Sequence, residues 1–257
     1  MKLKIKAPQW HNSLLTDYER LAIFKEAIES VVKPHHIVYD LGTGSGILAM
    51  IAGRIAKKVY AIELDSFTYE YVKENIELNN FKNIEAIEGD AEIYNFKEKA
   101  DVIIAEMLDT ALITEPQVKV INSIHRRGLL KYRGKLIPER VVSSAQIVES
   151  PLNYIHYDED DKYRELSNEV IYEEVNFYKI NDLEVEYIFN FKLDNINKNL
   201  ALKLRTYTIL TNKHISGNLK MLNPPLVIPF EANKEEFSLL LRYKRGGDLE
   251  SIKVEVL

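Results

Sequence analysis

Two glutamates, Glu106 and Glu115, are the residues of this chain whose type and spacing point most directly to chemistry. Glu106 follows the apolar run 102–105, which predicts a buried strand. Because the carboxyl ends of strands in an open α/β sheet face the ligand crevice, Glu106 is expected there. With Glu115 nine residues later, two carboxylates can hold a cationic or polar nitrogen by charge-assisted hydrogen bonds. The spacing alone leaves a second interpretation open, in which Glu115 is only a first-turn helix residue favoured by the helix dipole.

A glycine-rich turn is the second candidate site, and its spacing suits a nucleoside. Gly42, Gly44 and Gly46 alternate with other residues between an apolar strand and a predicted helix, and Asp40 lies two residues before the first glycine. Without a Cβ the backbone can pass close to a ligand, and the helix points its free N–H groups at the same place. Glu63 ends the next strand-like run and is expected to bind ribose hydroxyls. The third glycine comes one residue too early for the dinucleotide fingerprint, so the pattern predicts another nucleoside cofactor.

Strand-like and helix-like segments alternate through the first half of the chain, as a sheet that positions these groups requires. The predicted strands cover 37–41, 59–62, 84–87 and 102–105, and the predicted helices cover 18–32, 47–52, 66–79 with Ser66 as cap, and 115–127 with Gly128 as its end. Such alternation builds a parallel sheet. The fold class is therefore α/β, with a Rossmann-like cofactor-binding domain over residues 1–140.

The pattern changes near Pro138 to alternation of the strand type. The strands predicted beyond it cover 141–148, 185–193, 200–210, 237–243 and 252–257. A hairpin turn is expected at 245–248, and the acidic residues 158–161 are expected to form a solvated loop. Residues 141–257 are thus predicted to form an antiparallel β-barrel-like domain, either a barrel or a sandwich.

Composition narrows the class of protein. The 257 residues are 46% hydrophobic and 28% charged, which is typical of a globular protein. No apolar run approaches the roughly 20 residues of a membrane span, and the first residues lack the apolar core of a secretory signal. The lack of cysteine excludes disulfides and thiolate metal sites, and the scattered histidines predict no metal site. We expect a cytoplasmic protein with neither a membrane nor a metal as partner.

The distribution of charge bears on the macromolecular partner. Residues 1–140 hold equal numbers of basic and acidic side chains, so residues 141–257 carry the whole net charge of −5. An acidic half is a poor surface for nucleic acid. One basic stretch keeps RNA open as a partner, and it consists of Arg126, Arg127, Lys131, Arg133, Lys135 and Arg140.

These motifs resemble a known family, the protein arginine N-methyltransferases, over roughly residues 10–150 and more loosely to the C-terminus. Asp40 and the glycines after it resemble the S-adenosylmethionine (SAM) loop of Rossmann-like methyltransferases. Glu106 and Glu115 match the family's double-E loop, which grips the substrate guanidinium. The segment 135–140 resembles the family's Leu-x-x-Pro-(Asp/Glu)-Arg junction into a β-barrel domain. The resemblance implies a SAM-dependent methyltransferase whose acceptor nitrogen is held by the two glutamates.

The same resemblance implies a complete set of SAM contacts. The family's His followed by Met-Leu-x-Asp-x-x-Arg is matched by His11 and by the segment 14–20, which ends in Arg20. By this similarity both bind the methionine part of SAM, and Arg20 takes its carboxylate in a bidentate pair. The other implied cofactor-binding residues are Asp40, Gly42, Gly44 and Gly46 in the loop, Glu63 at the ribose, and Asp90, Ala91 and Glu92 at the adenine.

The chain also departs from the family. The Thr-His-Trp motif of the family's barrel has no counterpart, and the matching region here contains Asn223-Pro224-Pro225. The segment that forms the family's dimerisation arm is largely missing between Pro151 and Asn168. This gap argues against an arm-mediated ring dimer and leaves the oligomeric state open.

Three functions therefore compete. The leading hypothesis is a SAM-dependent methyltransferase acting on a protein, with an arginine or a similar cation as acceptor. RNA is the alternative acceptor, which the basic stretch favours but which carboxylates beside phosphate oppose. A non-enzymatic SAM-binding scaffold or sensor is the third, because the Thr-His-Trp motif is lost.

Overall fold

The computed structural model describes residues 3–9, 15–194, 199–217, 219 and 222–257. Its first part alternates helices and strands as expected. The helices are α1 (Tyr18–Val31), α2 (Ile47–Gly53), α3 (Ser66–Leu78) and α4 (Gln117–Arg126), and the strands are β1 (Ile37–Leu41), β2 (Lys58–Glu63), β3 (Ile84–Glu88), β4 (Ala100–Ala105) and β5 (Leu130–Ile137).

These five strands form one parallel sheet in the order β3-β2-β1-β4-β5. The chain builds outward from β1 to β3 and then returns to the other side of β1 with β4. This reversal opens a crevice at the carboxyl ends of β1 and β4. β1 is buried along its whole length and packs in one apolar core with α1 and α2. The loop after β1 therefore starts from a rigid base.

The second part is antiparallel. Its strands are β6 (Arg140–Glu149), β7 (His156–Tyr157), β8 (Arg164–Glu165), β9 (Val170–Asn176), β10 (Glu184–Lys192), β11 (Leu200–Thr211), β12 (His214–Ser216), β13 (Leu226–Pro229), β14 (Glu236–Lys244) and β15 (Lys253–Val256). One sheet has the order β7-β13-β11-β6-β8, with β9 also on β6 and β12 also on β11, and the other has the order β10-β14-β15. Residues of both, such as Leu204 and Leu241, share one buried core. The predicted β domain is confirmed as two packed sheets.

The parallel sheet ends at Ile137 and the first antiparallel strand begins at Arg140. This change of sheet type lies where the domain boundary is predicted. Packing continues across it, since Val141, Val175 and Phe177 belong to the apolar core of the first part. The division into domains 1–140 and 141–257 stays a prediction.

Two helix starts differ from the predictions. Asp65, not Ser66, caps α3, because its extended backbone lets the carboxylate accept the Thr68 N–H at 2.7 Å. α4 begins at Gln117, since Pro116 holds the capping position. Glu115 is therefore outside the helix, and its interpretation as a first-turn residue is wrong. The end of α4 is as predicted, with Gly128 at a left-handed φ of +60°.

The acidic loop 158–161 is only partly solvated: residues 159–161 are exposed as expected, but Asp158 is not. Asp158 is buried and accepts a hydrogen bond from the fully buried Lys203 at 2.8 Å. Asp161 accepts two from Arg205, at 2.9 and 3.1 Å. Leu202 and Leu204 on β11 point into the apolar core, so the alternating Lys203 and Arg205 fall on the opposite face. Acidic groups must cover these buried cations, because an unpaired buried charge is costly.

Candidate active site

A cleft of about 700 Å³ opens at the carboxyl ends of the parallel strands. It brings together nine residues predicted for the site, namely Arg20, Gly42, Gly44, Glu63, Asp90, Ala91, Glu92, Glu106 and Glu115. Asp40 and Gly46 are not among its lining residues, since Asp40 lies buried beneath the loop and Gly46 precedes α2 as its cap. His11 lies outside the described residues.

The glycine loop fits closely between the strand ends. Gly42 has a φ of +68°, and an ideal Cβ there would lie only 2.7 Å from Cγ of Met107. The Gly44 N–H donates to Oε2 of Glu63 at 2.8 Å, and the Asp65 N–H donates to Oε1 of the same carboxylate at 3.0 Å. Glu63 is thus fixed against the loop at the edge of the cleft.

Asp40 organises the loop from below. It is almost fully buried, and the Thr43 hydroxyl donates to its carboxylate at 2.5 Å. Burial raises the pKa of Asp40 to about 7, against the hydrogen bonds from Thr43 and the Ala49 backbone, and Glu106 and Glu63 add to the rise. Its pairing with Thr43 makes it a part of the loop rather than a surface of the cleft.

This buried acid makes the stability of the fold depend on pH. The folded state holds the proton of Asp40 more tightly than the unfolded state, so stability is lost as pH rises from about 4 to about 7. We expect the free energy of unfolding of Asp40→Asn, taken relative to that of wild type, to increase by up to about 4 kcal/mol between pH 4 and pH 8. Urea denaturation at the two pH values measures this, with the exposed Asp194→Asn as control. Parallel pH curves for Asp40→Asn and wild type would contradict the assignment.

Arg20 and Glu106 meet in one ion pair. Arg20 lies in the first turn of α1, where Asp17 caps the helix by accepting the Arg20 N–H at 2.9 Å. Arg20 Nε donates to Oε1 of Glu106 at 3.1 Å, and Nη2 pairs with Oε2. Burial raises the pKa of Glu106, Arg20 opposes the rise, and Asp17 adds to it. Arg20, which is predicted to bind the carboxylate of the cofactor, thus contacts Glu106, which is predicted to bind the acceptor.

Glu115 reaches the same cleft from the far end of the loop. Burial raises the pKa of Glu115, and the facing Glu106 raises it further. The two carboxylates are therefore electrostatically coupled, as a pair that shares one cationic ligand would be. We conclude that the loop 106–115 does fold back so that both glutamates line one cavity.

Asp109 shapes this loop. Asp109 is buried, accepts the Thr114 N–H at 2.8 Å and hydroxyl at 3.0 Å, and accepts the Glu115 N–H at 3.4 Å. Burial raises the pKa of Asp109 to about 7. Its role is to close the turn that presents Glu115.

The β domain also holds the loop. The Ala111 N–H donates to the Thr206 hydroxyl at 2.8 Å, and the Thr110 hydroxyl donates to the Pro224 carbonyl at 2.5 Å. Ala111 and Leu112 both have φ values near +60°, a strained conformation for these residues. Pro224 belongs to the segment that replaces the family's Thr-His-Trp. In this chain that segment contacts the loop through a main-chain carbonyl.

Two residues near the cleft escaped the sequence reasoning. Lys119 lines the cleft and pairs with Glu92 at 2.8 Å, joining α4 to the predicted adenine segment. The sequence does offer a signal for Lys119, because it lies four residues, about one helical turn, after Glu115. Tyr157 hydrogen-bonds Thr114, and burial raises its pKa with help from Asp109 and Glu115. Nothing in the sequence links Tyr157 to the loop, because it comes from a distant segment.

The described residues lack two features, a membrane-spanning helix and a cluster of metal ligands. They contain no helix long and apolar enough to cross a membrane. Within the same ranges, no group of three or more His, Asp or Glu side chains is arranged to hold a metal ion.

Comparisons with known proteins bear on the family. The model of the ribosomal protein L11 methyltransferase (PrmA) family matches residues 21–146. An uncharacterized protein of Methanocaldococcus jannaschii is 63% identical over the full length of both chains. A ribosomal protein L11 methyltransferase of a Thermoanaerobacter species is 30% identical over 51% of this chain. The match covers 44% of that enzyme, so this chain spans less than half of its length.

A solved structure shows the same fold over both parts. The PRMT1 enzyme–prozyme heterotetrameric complex of Trypanosoma brucei with AdoHcy superposes with a TM-score of 0.76 at 17% sequence identity. The match covers 97% of this chain and 96% of the other. The chain therefore belongs to one family with the Methanocaldococcus protein, its residues 21–146 match the PrmA methyltransferase family, and both of its parts share the fold of the protein arginine methyltransferases.

Proposed function

We propose that this protein transfers a methyl group from SAM to a cationic nitrogen of a protein, with the arginine guanidinium as the leading acceptor. One observation carries the proposal: Glu106 and Glu115 line a single cleft with the glycine loop. A planar cation can donate to both carboxylates, whereas a phosphate backbone would be repelled. The PRMT1 complex of similar fold supports the choice of a protein acceptor.

The cleft suits SAM from end to end. Arg20 would take the methionine carboxylate, Glu63 the ribose hydroxyls, and the segment 90–92 the adenine. SAM supplies an electrophilic methyl group on sulfur. The residues of this chain hold the acceptor nitrogen beside that position and exclude other orientations, so catalysis rests on positioning and on the two negative charges.

Transfer of labelled methyl groups tests the acceptor class. The protein is incubated with methyl-labelled SAM and cell extract, and the product is split by protease and by nuclease. Label released by protease and recovered as methylarginine supports the proposal. Protease-resistant, nuclease-sensitive label would instead identify RNA as the acceptor. Binding of S-adenosylhomocysteine (SAH) without any labelling would favour a scaffold or sensor.

RNA gains little support from the basic stretch. Arg127 donates to the carbonyls of Glu92 and Tyr94, and Lys131 pairs with Asp101 at 2.8 Å. These two cations therefore serve the fold of the first part.

A ribosomal protein is a second candidate acceptor. The PrmA family model covers residues 21–146, which include both glutamates of the loop. The family's name specifies ribosomal protein L11 as the acceptor of its members. Label recovered in a protein of the ribosomal fraction, on a nitrogen other than that of an arginine, would favour this candidate.

The pH dependence of transfer should follow from the two carboxylates. Both must be ionised to hold a cation, and both have a raised pKa, so they stay protonated to higher pH than ordinary glutamates. We expect kcat/KM for the acceptor to rise as the pH increases above about 4. At pH values below the pKa of one of the two glutamates, the rise should be about tenfold per pH unit. The affinity for SAH, measured by calorimetry over the same range, should change much less. A profile that falls with rising pH would contradict this.

A further inference from the structure

The two carboxylates of the cleft are held by different parts of the chain. Glu106 directly follows β4 and pairs with Arg20. The N–H of the next residue, Met107, donates to the buried Gln117 side chain at 3.1 Å. All of these contacts lie within the first part. Glu115 is held by Asp109 within the loop and, in addition, by contacts from the β domain.

A turn between β14 and β15 fastens the end of the loop that carries Glu115. The Gly246 N–H donates to the Leu112 carbonyl at 3.0 Å, and the Gly247 N–H donates to the Ile113 carbonyl at 2.8 Å. Gly246 has a φ of +64°, and a Cβ there would lie 3.5 Å from the Glu115 carbonyl oxygen. The turn therefore lies directly against the backbone of Glu115.

Arg245 secures this turn inside the β domain. Its side chain is 4% exposed and forms an ion pair with Glu173. Nη1 donates to the Asp182 carbonyl at 2.6 Å, Nη2 donates to the Tyr187 hydroxyl at 3.2 Å, and the backbone N–H donates to the Leu183 carbonyl at 2.7 Å. A buried ion pair of this kind adds little stability compared with apolar packing, so its value here is geometric.

We propose that Arg245 is a positioning residue for methyl transfer: it fixes the turn 245–247, and the turn fixes Glu115 opposite Glu106. This inference rests on the proposed function. It assigns the last strands of the β domain a part in the acceptor site that the sequence motifs do not indicate. Arg245 acts only through the backbone of the turn and of the loop.

The test uses the full-length protein with two changes. Arg245→Met removes the guanidinium at similar length, and Gly246→Ala changes only the turn, which keeps the test valid if the first variant does not fold. Arg242→Met is the matched control, because Arg242 lies on the exposed side of β14, the strand that leads into the turn, and pairs with Glu186 there. Each variant is assayed for kcat on the protein fraction that wild type labels, for the Kd of SAH, and for hydrogen exchange of the amides 109–115.

A displacement of Glu115 by about 1 Å should lower kcat by about 100-fold. We expect this loss in Arg245→Met and Gly246→Ala, with the Kd of SAH within threefold of wild type and faster exchange confined to the loop. Arg242→Met should match wild type in all three measurements. Two results would overturn the inference: faster loop exchange with kcat unchanged, or a loss of SAH affinity in proportion to kcat. If wild type labels no acceptor, the proposed function fails, and unchanged loop exchange in both variants would separately refute the positioning role.

Discussion

Glu106→Gln is expected to abolish methyl transfer while leaving cofactor binding intact. The substitution removes the charge that faces the acceptor, and loss of one preorganised electrostatic contact in an active site costs about 100-fold to 1,000-fold in kcat. Glutamine keeps an oxygen that can accept from Arg20 Nε, now 3.1 Å from Oε1 of Glu106. The buried guanidinium therefore keeps a partner, and the fold should survive. Turnover with labelled SAM and calorimetric titration with SAH measure the two effects.

The matched control is Glu70→Gln, an exposed carboxylate on α3 that pairs with Lys73. It should leave both turnover and SAH affinity unchanged. Unchanged turnover in Glu106→Gln would show that this carboxylate does not act on the acceptor. A large loss of SAH affinity in that variant would show instead that the pair with Arg20 serves the cofactor.

Gly42→Val is expected to abolish cofactor binding. A β-branched residue is strongly disfavoured at a φ of +68°, and its Cβ would lie 2.7 Å from Cγ of Met107. Both the loop and Met107 must shift, and Met107 adjoins Glu106. We expect the affinity for SAH to fall by about 100-fold or more, equivalent to about 3 kcal/mol, in calorimetric titration.

Gly217→Ala is the control for this prediction. None of the described residues places an atom within 4 Å of a Cβ at Gly217, and its φ is an ordinary one. This variant should bind SAH like wild type. If Gly42→Val bound SAH normally, the loop would not be the cofactor site, and the whole interpretation of the cleft would fail.

The cofactor half of the site was predictable because it depends on local patterns. The loop glycines, Glu63 and the segment 90–92 lie at or just after the ends of parallel strands, and parallel strands bring their carboxyl ends to one edge. Glu63, Asp90 and Glu106 therefore had to meet once the alternation of strands and helices was recognised. Asp40 shows the limit of this reasoning, since the pattern marks a residue as part of the loop but not whether it faces the ligand or the interior.

The acceptor half depends on contacts between distant segments, which spacing does not reveal. Tyr157 and Thr206 reach the loop from β7 and β11, and no motif connects them with it. The burial of Asp158 could not be predicted for the same reason. Four consecutive acidic residues predict a solvent-exposed loop, because the sequence does not show that Asp158 pairs with the buried Lys203 on another strand. The strands β7, β8 and β9 were not predicted, because few of their residues are buried and their polar and apolar residues do not alternate clearly.

The left-handed backbone at Ala111 and Leu112 has a consequence for how such a protein can evolve. Each of these conformations costs of order 1–3 kcal/mol, and contacts with the β domain must offset that cost. A first part recombined with a foreign second domain would keep the crevice that we propose for SAM. Its loop would then relax to a less strained conformation and carry Glu115 away from Glu106. Recombination at the point where the sheet type changes would therefore transmit the proposed cofactor site intact but not the proposed acceptor site.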